Sequence, residues 1–534
     1  MTRTLRRISQ AFWAALFLYF VYRTATPLEP EIPVDKFVQI SPLVAISAML
    51  SSRSWLYETA LAGLATILMT VLLGRVFCGW ICPLGAALDA SDRLFFGSAK
   101  RSGAKRFHAW KYYILAGILV SALFTMQAAY LLDPLSLLTR TVVLVFLPPI
   151  QMALGAVSNL LYDWSGSSFA PLAAPSMWLS DRMMSWSFLS GPQLYFRQAL
   201  FVLAVFLAIV GLSSISRRFW CSNLCPLGAL LGLFSRMPAL KRSVGSSCID
   251  CGKCARECKT GAIPAEPRHT RSAECVECFN CVPVCPRDAV SFRLRPGPES
   301  HKDTRLDLSR RRLLQGAGVG LSFAALAKVD PGRKRALADT STIKLSDSRL
   351  IRPPGSVGED RFVARCVRCG LCMKACPTNG LQPAIHEAGI EGFWTPILVP
   401  KIGFCSQECN ACGEVCPTDA IERFEIEDKD RIFIGTAVIH RDQCIAWNSG
   451  RKCLVCDEYC SYKAIEWKTE NGVRRPFVNE EKCVGCGICE SACPIQPDAA
   501  IRVYSLGDRR GRRLPPPPPD SSTDGTADEN PYGF

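Results

Sequence analysis

The sequence lacks several cofactor motifs, and each absence excludes a class of function. No Cys-x-x-Cys-His occurs, so covalent c-type haem is excluded. No glycine-rich fingerprint follows a predicted strand, which argues against a Rossmann domain for nicotinamide or flavin. Acidic residues are scarce, with 47 Asp and Glu against 62 Lys and Arg. In a chain with long apolar stretches, this excess is typical of cytoplasmic loops. We therefore expect no nucleic-acid partner.

Cysteine, by contrast, is abundant. The 534 residues include 28 cysteines, and none is left over when they are grouped by spacing. Six runs of four and two Cys-x3-Cys pairs account for all of them. A secreted disulfide scaffold would be a much shorter chain. The complete grouping therefore indicates metal ligation throughout.

The densest group of cysteines runs from Cys248 to Cys285 and has the double ferredoxin spacing, in which thiolates hold two 4Fe–4S clusters. A zinc site is the alternative, but its all-cysteine form uses two separated pairs. In the ferredoxin pattern the fourth cysteine of each run ligates the other cluster. The spacing thus predicts two ligand sets: Cys248, Cys251, Cys254 with Cys285, and Cys275, Cys278, Cys281 with Cys258.

Upstream of this cassette, four uncharged apolar stretches predict membrane spans. Each is near the length that crosses a bilayer. Basic residues collect before the first stretch, between the second and third, and after the fourth, which predicts a cytoplasmic location for both ends of residues 1–242. No ionisable residue lies within a stretch, which argues against a proton pump or ion carrier. The stretches are Ile8–Tyr22, Thr59–Gly74, Tyr112–Leu132 and Gln198–Ser216.

A fifth uncharged stretch, Thr141–Tyr162, is interrupted in sequence by Pro148-Pro149. Counting it as a full span would break the charge pattern. We interpret it as re-entrant or as lying along the outer face.

Two copies of one motif follow the second and fourth stretches. They read Cys78-Gly-Trp-Ile-Cys82-Pro-Leu-Gly and Cys221-Ser-Asn-Leu-Cys225-Pro-Leu-Gly. On a helix, positions i and i+4 are neighbours, so each pair presents both sulfurs on one face. Two such pairs at one membrane surface would offer four thiolates to a single metal centre. The alternative is two pairs of reduced thiols with a structural or redox role, because the spacing does not select a metal.

Paired Cys-x3-Cys-Pro motifs after the second and fourth spans, followed by a two-cluster cassette, resemble the NapH family and its relative MauN over about residues 1–295. The resemblance implies a membrane subunit that exchanges electrons with the quinone pool. No motif identifies a quinone site, and His108 is a candidate only by position. Asp133 and Arg140, at the presumed outer edge, could take protons from quinol, although we favour helix capping and snorkelling as their explanation.

Residues 296–345 form a predicted linker that contains a twin-arginine segment. Ser309-Arg310-Arg311-Arg312-Leu313-Leu314-Gln315 precedes the uncharged stretch Gly316–Ala327. This pattern resembles a Tat export signal, and two small-residue cleavage forms follow. The alternative is a basic linker beside a buried helix. Because iron–sulfur clusters are inserted in the cytoplasm, a cluster domain destined for the periplasm must cross folded, and this favours Tat export.

Residues 346–505 contain four more quartets, whose first cysteines are separated by a constant interval of 39 residues. A fixed period indicates a duplicated unit. The second quartet has three residues after Cys405 and the third has eight after Cys444, so the third site is the least regular. The quartets are Cys366, Cys369, Cys372, Cys376; Cys405, Cys409, Cys412, Cys416; Cys444, Cys453, Cys456, Cys460; and Cys483, Cys486, Cys489, Cys493.

Arg352-Pro353-Pro354-Gly355 and the two spacing variants in this order resemble the NapG and MauM proteins over roughly residues 305–505. The resemblance implies an exported four-cluster electron carrier. It also implies nested ligand exchange, in which the first quartet pairs with the fourth and the second with the third. Residues 506–534, with five consecutive prolines, predict a disordered tail.

Together these patterns predict a multidomain protein: an α-helical membrane bundle of four transmembrane helices (1–242), an α+β ferredoxin-like two-cluster cassette (243–295) and an α+β four-cluster ferredoxin-like repeat domain (346–505). We expect six 4Fe–4S clusters, with a seventh metal centre at the Cys-x3-Cys-Pro motifs left open. The expected location is a bacterial inner membrane, embedded in membrane lipid, with the cassette cytoplasmic and the repeat domain periplasmic.

The expected function is electron transfer of the quinol dehydrogenase type. Electrons would pass from the quinone pool to a periplasmic cytochrome or terminal reductase. Two alternatives remain open. One is a maturation factor for copper enzymes that uses the Cys-x3-Cys-Pro thiols, and the other is electron transfer from a cytoplasmic ferredoxin to quinone.

Overall fold

The computed structural model describes residues 2–25, 28, 34–95, 107–165, 170–185, 189, 193–236, 238–264, 266–294, 308–329, 349–470 and 472–505. The predicted tail and most of the predicted linker lie outside these residues. The N-terminal part is a bundle of helices, built on the apolar stretches of the sequence. Its helices are α1 (Thr2–Arg23), α2 (Lys36–Gln39), α3 (Pro42–Ser52), α4 (Tyr57–Leu73), α5 (Pro83–Phe95), α6 (Trp110–Leu123), α7 (Pro134–Thr141), α8 (Leu147–Ser165), α9 (Ala170–Met184), α10 (Ala199–Gly211), α11 (Phe219–Asn223) and α12 (Pro226–Phe234).

Two buried caps fix where helices of the bundle begin. The Ser41 hydroxyl accepts from the Val44 amide at the start of α3. The Asp133 carboxylate accepts from the Ser136 amide at 2.9 Å at the start of α7, and a proline follows each cap. The Ser41 hydroxyl also donates to Asp133 at 2.7 Å, which joins the two helix starts. Capping satisfies amide groups that have no partner within the helix. The capping interpretation of Asp133 is confirmed.

The predicted spans differ in how well helices cover them. The helix α1 has 22 residues and α4 has 17, but α6 ends at Leu123, well before the predicted end at Leu132. Within the described residues, only Pro134–Trp164 is both long and apolar enough to cross a membrane by itself. One such helix is weak evidence for a membrane protein, so the four-span bundle remains a prediction.

The interpretation of the fifth stretch, Thr141–Tyr162, as re-entrant was wrong. The chain from Pro134 to Trp164 is one continuous helix, because a π-helical turn at Val142–Phe146 joins α7 to α8. In this turn the Leu147 amide donates to the Val142 carbonyl, five residues earlier. The wider turn accommodates the two proline rings, which would otherwise collide with carbonyls of a regular helix.

The cassette and the array are small α+β units in which short strands close loops around the cysteines. The cassette has β1 (Leu240–Val244), α13 (Lys253–Glu257) and β2 (Val290–Leu294), and β1 pairs antiparallel with β2. After α14 (Arg310–Val329), the array contains α15 (Glu359–Arg365), α16 (Leu371–Ala375), β3 (Leu381–Pro383), β4 (Pro396–Leu398), α17 (Ala411–Glu414), β5 (Gly435–Ile439), α18 (Ile445–Asn448), α19 (Val455–Glu458), β6 (Ile465–Glu470), β7 (Val473–Val478), α20 (Ile488–Ala492) and β8 (Ile501–Ser505). Its strands form three antiparallel pairs, β3–β4, β5–β8 and β6–β7.

The cassette and the array contact opposite ends of the same helices. At the start of α4, the Thr59 hydroxyl donates to the carbonyl of Pro417 in the array. Just past the end of α4, the Arg75 guanidinium donates to the carbonyl of Ala273 in the cassette. A helix of 17 residues is about 26 Å long. The thickness of the bundle therefore separates the two cluster-binding domains.

Helix α14, which contains the twin arginine, packs lengthwise against α6. Near its start the Ser309 amide donates to the Tyr113 hydroxyl, and near its end Ala324 and Ala327 pack against Met126. The two helices therefore run in the same direction, from the cassette end of the bundle to the array end. A methyl group placed on Gly320 would lie 2.1 Å from the Gly117 carbonyl oxygen, so glycine is required at this crossing.

Replacing Gly320 with leucine is expected to separate α14 from α6, because the new side chain would overlap the backbone of Gly117. A photoreactive phenylalanine analogue at Phe323 should then lose its cross-link to the Met126 region. Gly318 is the matched control, since no atom lies within 4 Å of a methyl group placed there. Loss of the cross-link in Gly318→Leu, or its retention in Gly320→Leu, would contradict the glycine contact.

Candidate metal centres

The two Cys-x3-Cys-Pro motifs fold in the same way at the cassette end of the bundle. In each copy the amide of the second cysteine donates to a carbonyl five residues earlier, Cys82 to Phe77 and Cys225 to Trp220, both at 2.9 Å. The proline after each second cysteine then begins a helix, α5 or α12, where its missing amide costs nothing. The motif therefore places both sulfurs of each pair beside a helix start.

The four motif cysteines are brought together in one buried site. Burial, and then the charges of Cys78 and Cys221, raise the pKa of Cys82. Burial, followed by the charges of Cys221 and Cys78, likewise raises the pKa of Cys225. Cys82 and Cys225 are buried, and Cys78 and Cys221 are half-buried. Four such neighbouring thiols are poorly stable as free thiolates, whereas a bound cation would keep them deprotonated. This donor set fits a metal centre of the thiolate-preferring kind.

The site formed by Cys78, Cys82, Cys221 and Cys225 is called the paired centre below. Two buried arginines, which sequence analysis did not identify, enclose it. Arg75 Nη2 lies 3.9 Å from Cys78 Sγ. Arg218 donates to the Cys78 carbonyl at 3.0 Å and to Asp89 twice, at 2.9 Å each. The signal was present, because an arginine stands three residues before the first cysteine in both copies of the motif.

Each arginine reaches the glycine at the end of the other copy. Arg218 Nη2 donates to the Gly85 carbonyl at 3.2 Å. A methyl group placed on Gly228 would lie 2.7 Å from Arg75 Nη2. The two copies thus interlock with approximate two-fold symmetry. Positive charge near sulfur ligands is one of the means by which a protein sets a cluster's potential.

The cassette rests directly on the paired centre. The Trp80 indole donates to the Glu277 carbonyl at 2.9 Å, and a methyl group on Gly79 would lie 2.2 Å from the Val276 carbonyl oxygen. Beside this contact, burial raises the pKa of Glu277 to about 8. The residues between Cys275 and Cys278 therefore contact those between Cys78 and Cys82.

A buried ionic cluster fixes the cassette in this position. Glu274 is paired with Lys111 and, at 3.5 Å, with Arg75. Tyr112 also donates to Glu274 at 3.2 Å. The basic residues at this end of the bundle are therefore not all free loop charges. The orientation predicted from them rests on the others, and it stays a prediction.

The cassette cysteines agree with the predicted exchange of the fourth ligand. The charge of Cys258 raises the pKa of Cys278 and of Cys281, after the larger effect of burial in both. One small apolar cluster contains Cys254 and Cys285 together with Cys258 and Cys281, so the two ligand sets are adjacent. Cys258 thus lies with the later run of cysteines, although in sequence it is the last member of the earlier run.

In the array, three cavities are each lined by four cysteines, three from one quartet and one from another. The predicted nesting of first with fourth and second with third was wrong. The first and second quartets exchange their fourth cysteines, and so do the third and fourth. The three sets are Cys366, Cys369, Cys372 with Cys416; Cys405, Cys409, Cys412 with Cys376; and Cys444, Cys453, Cys456 with Cys493.

The remaining set is Cys483, Cys486 and Cys489 with Cys460, and its contacts give the order of the four sets in space. The charge of Cys460 is among the causes that raise the pKa of Cys486 to about 12, after burial. The Cys405 amide donates to the Cys486 carbonyl at 2.8 Å, so the second set adjoins the fourth. The spatial order is therefore first, second, fourth and third. The irregular third quartet, with Cys444, stands at the end of this order.

The first set of the array meets the bundle at two buried arginines. The Arg368 guanidinium donates to the Gln127 carbonyl at 3.0 Å and lies 3.6 Å from the centre of the Tyr130 ring. Arg140 lies 3.9 Å from the centre of the Trp394 ring. Arg140 is 1% exposed, so the snorkelling interpretation was wrong: the array covers this residue. Cation–π contacts of this kind strengthen when water is excluded.

The number of cysteines at each site matches the ligand number of an iron–sulfur cluster. Among the described residues, no group of three or more cysteine, histidine, aspartate or glutamate side chains is close enough to hold one metal ion. A single zinc ion would bring its sulfur ligands to within about 3.8 Å of one another. Four cysteine thiolates are the ligands of a 4Fe–4S cluster, and four cysteines line each of the three array cavities.

Comparisons with protein families agree with this assignment. A family described as a 4Fe-4S binding domain matches residues 55–102 and 198–245, which contain the two Cys-x3-Cys-Pro motifs. A 4Fe-4S dicluster domain family matches residues 451–496. Another 4Fe-4S binding domain family matches residues 363–382.

Individual relatives match about a third of the chain. The methylamine utilization ferredoxin-type protein MauM of Methylorubrum extorquens is 34% identical, over 36% of this chain and 88% of MauM. The ferredoxin-type protein NapG of Escherichia coli is 33% identical, over 38% of this chain and 88% of NapG. The ferredoxin-type protein NapF of Escherichia coli is 33% identical, over 30% of this chain and 88% of NapF. No solved structure matches the chain.

Proposed function

Because this chain belongs, over about 36% of its length, to the family of ferredoxin-type iron–sulfur electron-transfer proteins that includes MauM and NapG, we propose that it is a membrane-bound quinol dehydrogenase. It joins a NapH-like membrane unit to a NapG-like array in one polypeptide. It oxidises quinol and delivers electrons to a redox partner on the periplasmic side. The cassette lies in the cytoplasm and the array in the periplasm.

The observation that carries this proposal is the position of the two cluster-binding domains at opposite ends of the bundle. The cassette contacts the start of α6 through Lys111, and the array contacts the chain beyond the end of α6 through Gln127. Helix α14 runs along α6 between these two ends. With the bundle in a membrane, this arrangement would put cysteine sites on both of its sides, and one helix would connect them.

The cysteine sets would hold six 4Fe–4S clusters, and the paired centre a seventh. Such clusters accept and donate one electron at a time. Quinol releases two electrons and two protons, so its oxidation requires two one-electron acceptors, with the protons passing to water. The array offers an ordered series of sites leading away from the bundle, and its third set is the farthest along that series. We propose that this set faces the redox partner, such as a cytochrome or terminal reductase.

Anaerobic mixing of the purified, detergent-solubilised chain with decylubiquinol tests this function. Quinol is expected to bleach the iron–sulfur absorbance, and dithionite should bleach it further. Serine at Cys78 and Cys82 should slow the quinol reaction at least tenfold and leave bleaching by dithionite at the six other sites. If quinol leaves the absorbance unchanged, the proposed function is wrong.

The proposed topology has its own test. A reporter active only outside the cytoplasm, fused after Val503, should be active in the unmodified chain. Lysine at Arg310 and Arg311 should abolish that activity if the Tat pathway exports the array. An inactive reporter in the unmodified chain would place the array in the cytoplasm.

No contact among the described residues favours the copper-maturation alternative. The paired centre is covered by the cassette at Gly79 and Trp80, which suits electron exchange with the cassette better than delivery of a metal ion. Serine variants that lose copper-enzyme assembly and retain quinol oxidation would favour the alternative.

A further inference from the structure

A cavity of about 430 Å³ opens in the bundle between α1, α5, the continuous helix α7–α8 and α10. Ligand pockets in proteins span about 300–1,000 Å³, so this one has the size of a small-molecule site. Its walls include Ala11 and Ala14 of α1, Ala87 of α5, Val142 of the π turn and Phe206 of α10. Small side chains on two facing helices leave room for a flat ring.

One end of the cavity is polar and the rest is apolar. Gln10 and Asp89 line it, and the Gln10 amide donates to the Gly79 carbonyl at 3.0 Å and to Asp89 at 3.1 Å. Arg7 and Arg93 also line the cavity. Buried hydrogen-bonding groups beside apolar walls suit a ligand with a polar ring and a hydrocarbon tail.

The cavity lies between the paired centre and the first cysteine set of the array. On one side it is lined by Pro83, which is bonded to Cys82. On the other side it is lined by Val142, whose neighbour Val143 has Cγ1 3.7 Å from a methyl group placed on Gly370. Gly370 is bonded to Cys369. An occupant would therefore be close to cysteine sites of both domains.

His108, which its position in the sequence made a candidate for the quinone site, lies elsewhere. It is not among the described residues that line the cavity. It is buried near the cassette, where Glu274 is the charged group that acts most strongly on its ring.

We infer that this cavity binds the head group of a quinone in its quinol form, with a ring hydroxyl donating to the Gln10 side-chain oxygen and the tail along the apolar walls. The inference rests on the proposed function and adds its site. A quinone held there stands between the two halves of the chain, in the gap that the bundle otherwise leaves between cassette and array.

Photolabelling tests the site without relying on electron transfer. An azido-ubiquinone analogue, bound to the full-length chain in detergent, is expected to label peptides within residues 7–18 and 83–93. Tryptophan at Ala14 should fill the cavity and lower labelling at least tenfold. Tryptophan at Ala15 is the matched control, because this adjacent residue is exposed and does not line the cavity. Iron content and helix content should match the unmodified chain in both variants.

Several results would overturn the inference. These are labelling elsewhere in the chain, labelling undiminished by Ala14→Trp, and displacement of the label by phospholipid as effectively as by unlabelled ubiquinone. The last result would assign the cavity to a lipid tail. A second filling variant, Ala87→Trp, should reproduce the loss from the opposite wall. Labelling of the cavity in a chain that quinol does not bleach would support the site and reject the proposed function.

Discussion

Alanine at both Cys366 and Cys416 is expected to remove about four iron atoms per chain, the same loss as either replacement alone. The reason is that these two cysteines line one cavity, although they belong to different quartets in sequence. Once the first alanine has removed the cluster, the second has nothing further to remove. Iron and acid-labile sulfide analysis of the purified variants measures the loss, and alanine is used because it offers no replacement ligand.

Alanine at both Cys405 and Cys416 is the matched control for this experiment. These cysteines belong to one quartet in sequence but line different cavities, so the pair should lose about eight iron atoms. The reverse result, with about eight atoms lost from the first pair and about four from the second, would mean that each quartet holds its own cluster.

Replacing Glu274 with glutamine is expected to weaken the docking of the cassette by about 3–5 kcal/mol. The change leaves Lys111 and Arg75 buried without their carboxylate, and an uncompensated buried charge carries a penalty of this size. Hydrogen exchange measured by mass spectrometry should show it directly. Amides of the cassette that face the bundle should lose protection by about a hundredfold or more.

Asp250→Asn provides the control for this second result. Asp250 pairs with Arg268 in the same cassette at 3.1 Å, but both side chains are about half exposed. A surface pair contributes about 0–1 kcal/mol, so exchange in this variant should change by tenfold at most. Asparagine also tolerates the positive φ of 50° found at this position. Equal effects of the two replacements would show that Glu274 does not anchor the cassette.

Local features of the site were predictable because their causes are local. The exchange of Cys258 into the later set follows from the ferredoxin spacing, in which the fourth cysteine of each run ligates the other cluster. The cap formed by Asp133 follows from its place immediately before Pro134 and an apolar helix. In both cases the information lies within a few residues of the chain.

The pairing of the array quartets was not predictable in this way. A constant interval gives every quartet nearly the same local signal, so the choice of partner depends on how the units pack. Contacts such as the Glu422 amide on the Gly355 carbonyl, which joins the units of the first and second quartets, and the β5–β8 ladder, which joins those of the third and fourth, decide it. Arg140 was misread for the same reason, because the ring that covers it belongs to Trp394 in another domain.

Helix α14 has a consequence for stoichiometry. It connects the cassette to the array within one polypeptide and packs along α6, so every bundle carries one array. Covalent connection makes the encounter between them intramolecular, with an effective concentration on the order of millimolar for short linkers. Two separate subunits would dissociate on dilution or compete for partners when produced unequally. In this chain, contact between bundle and array is independent of the protein concentration.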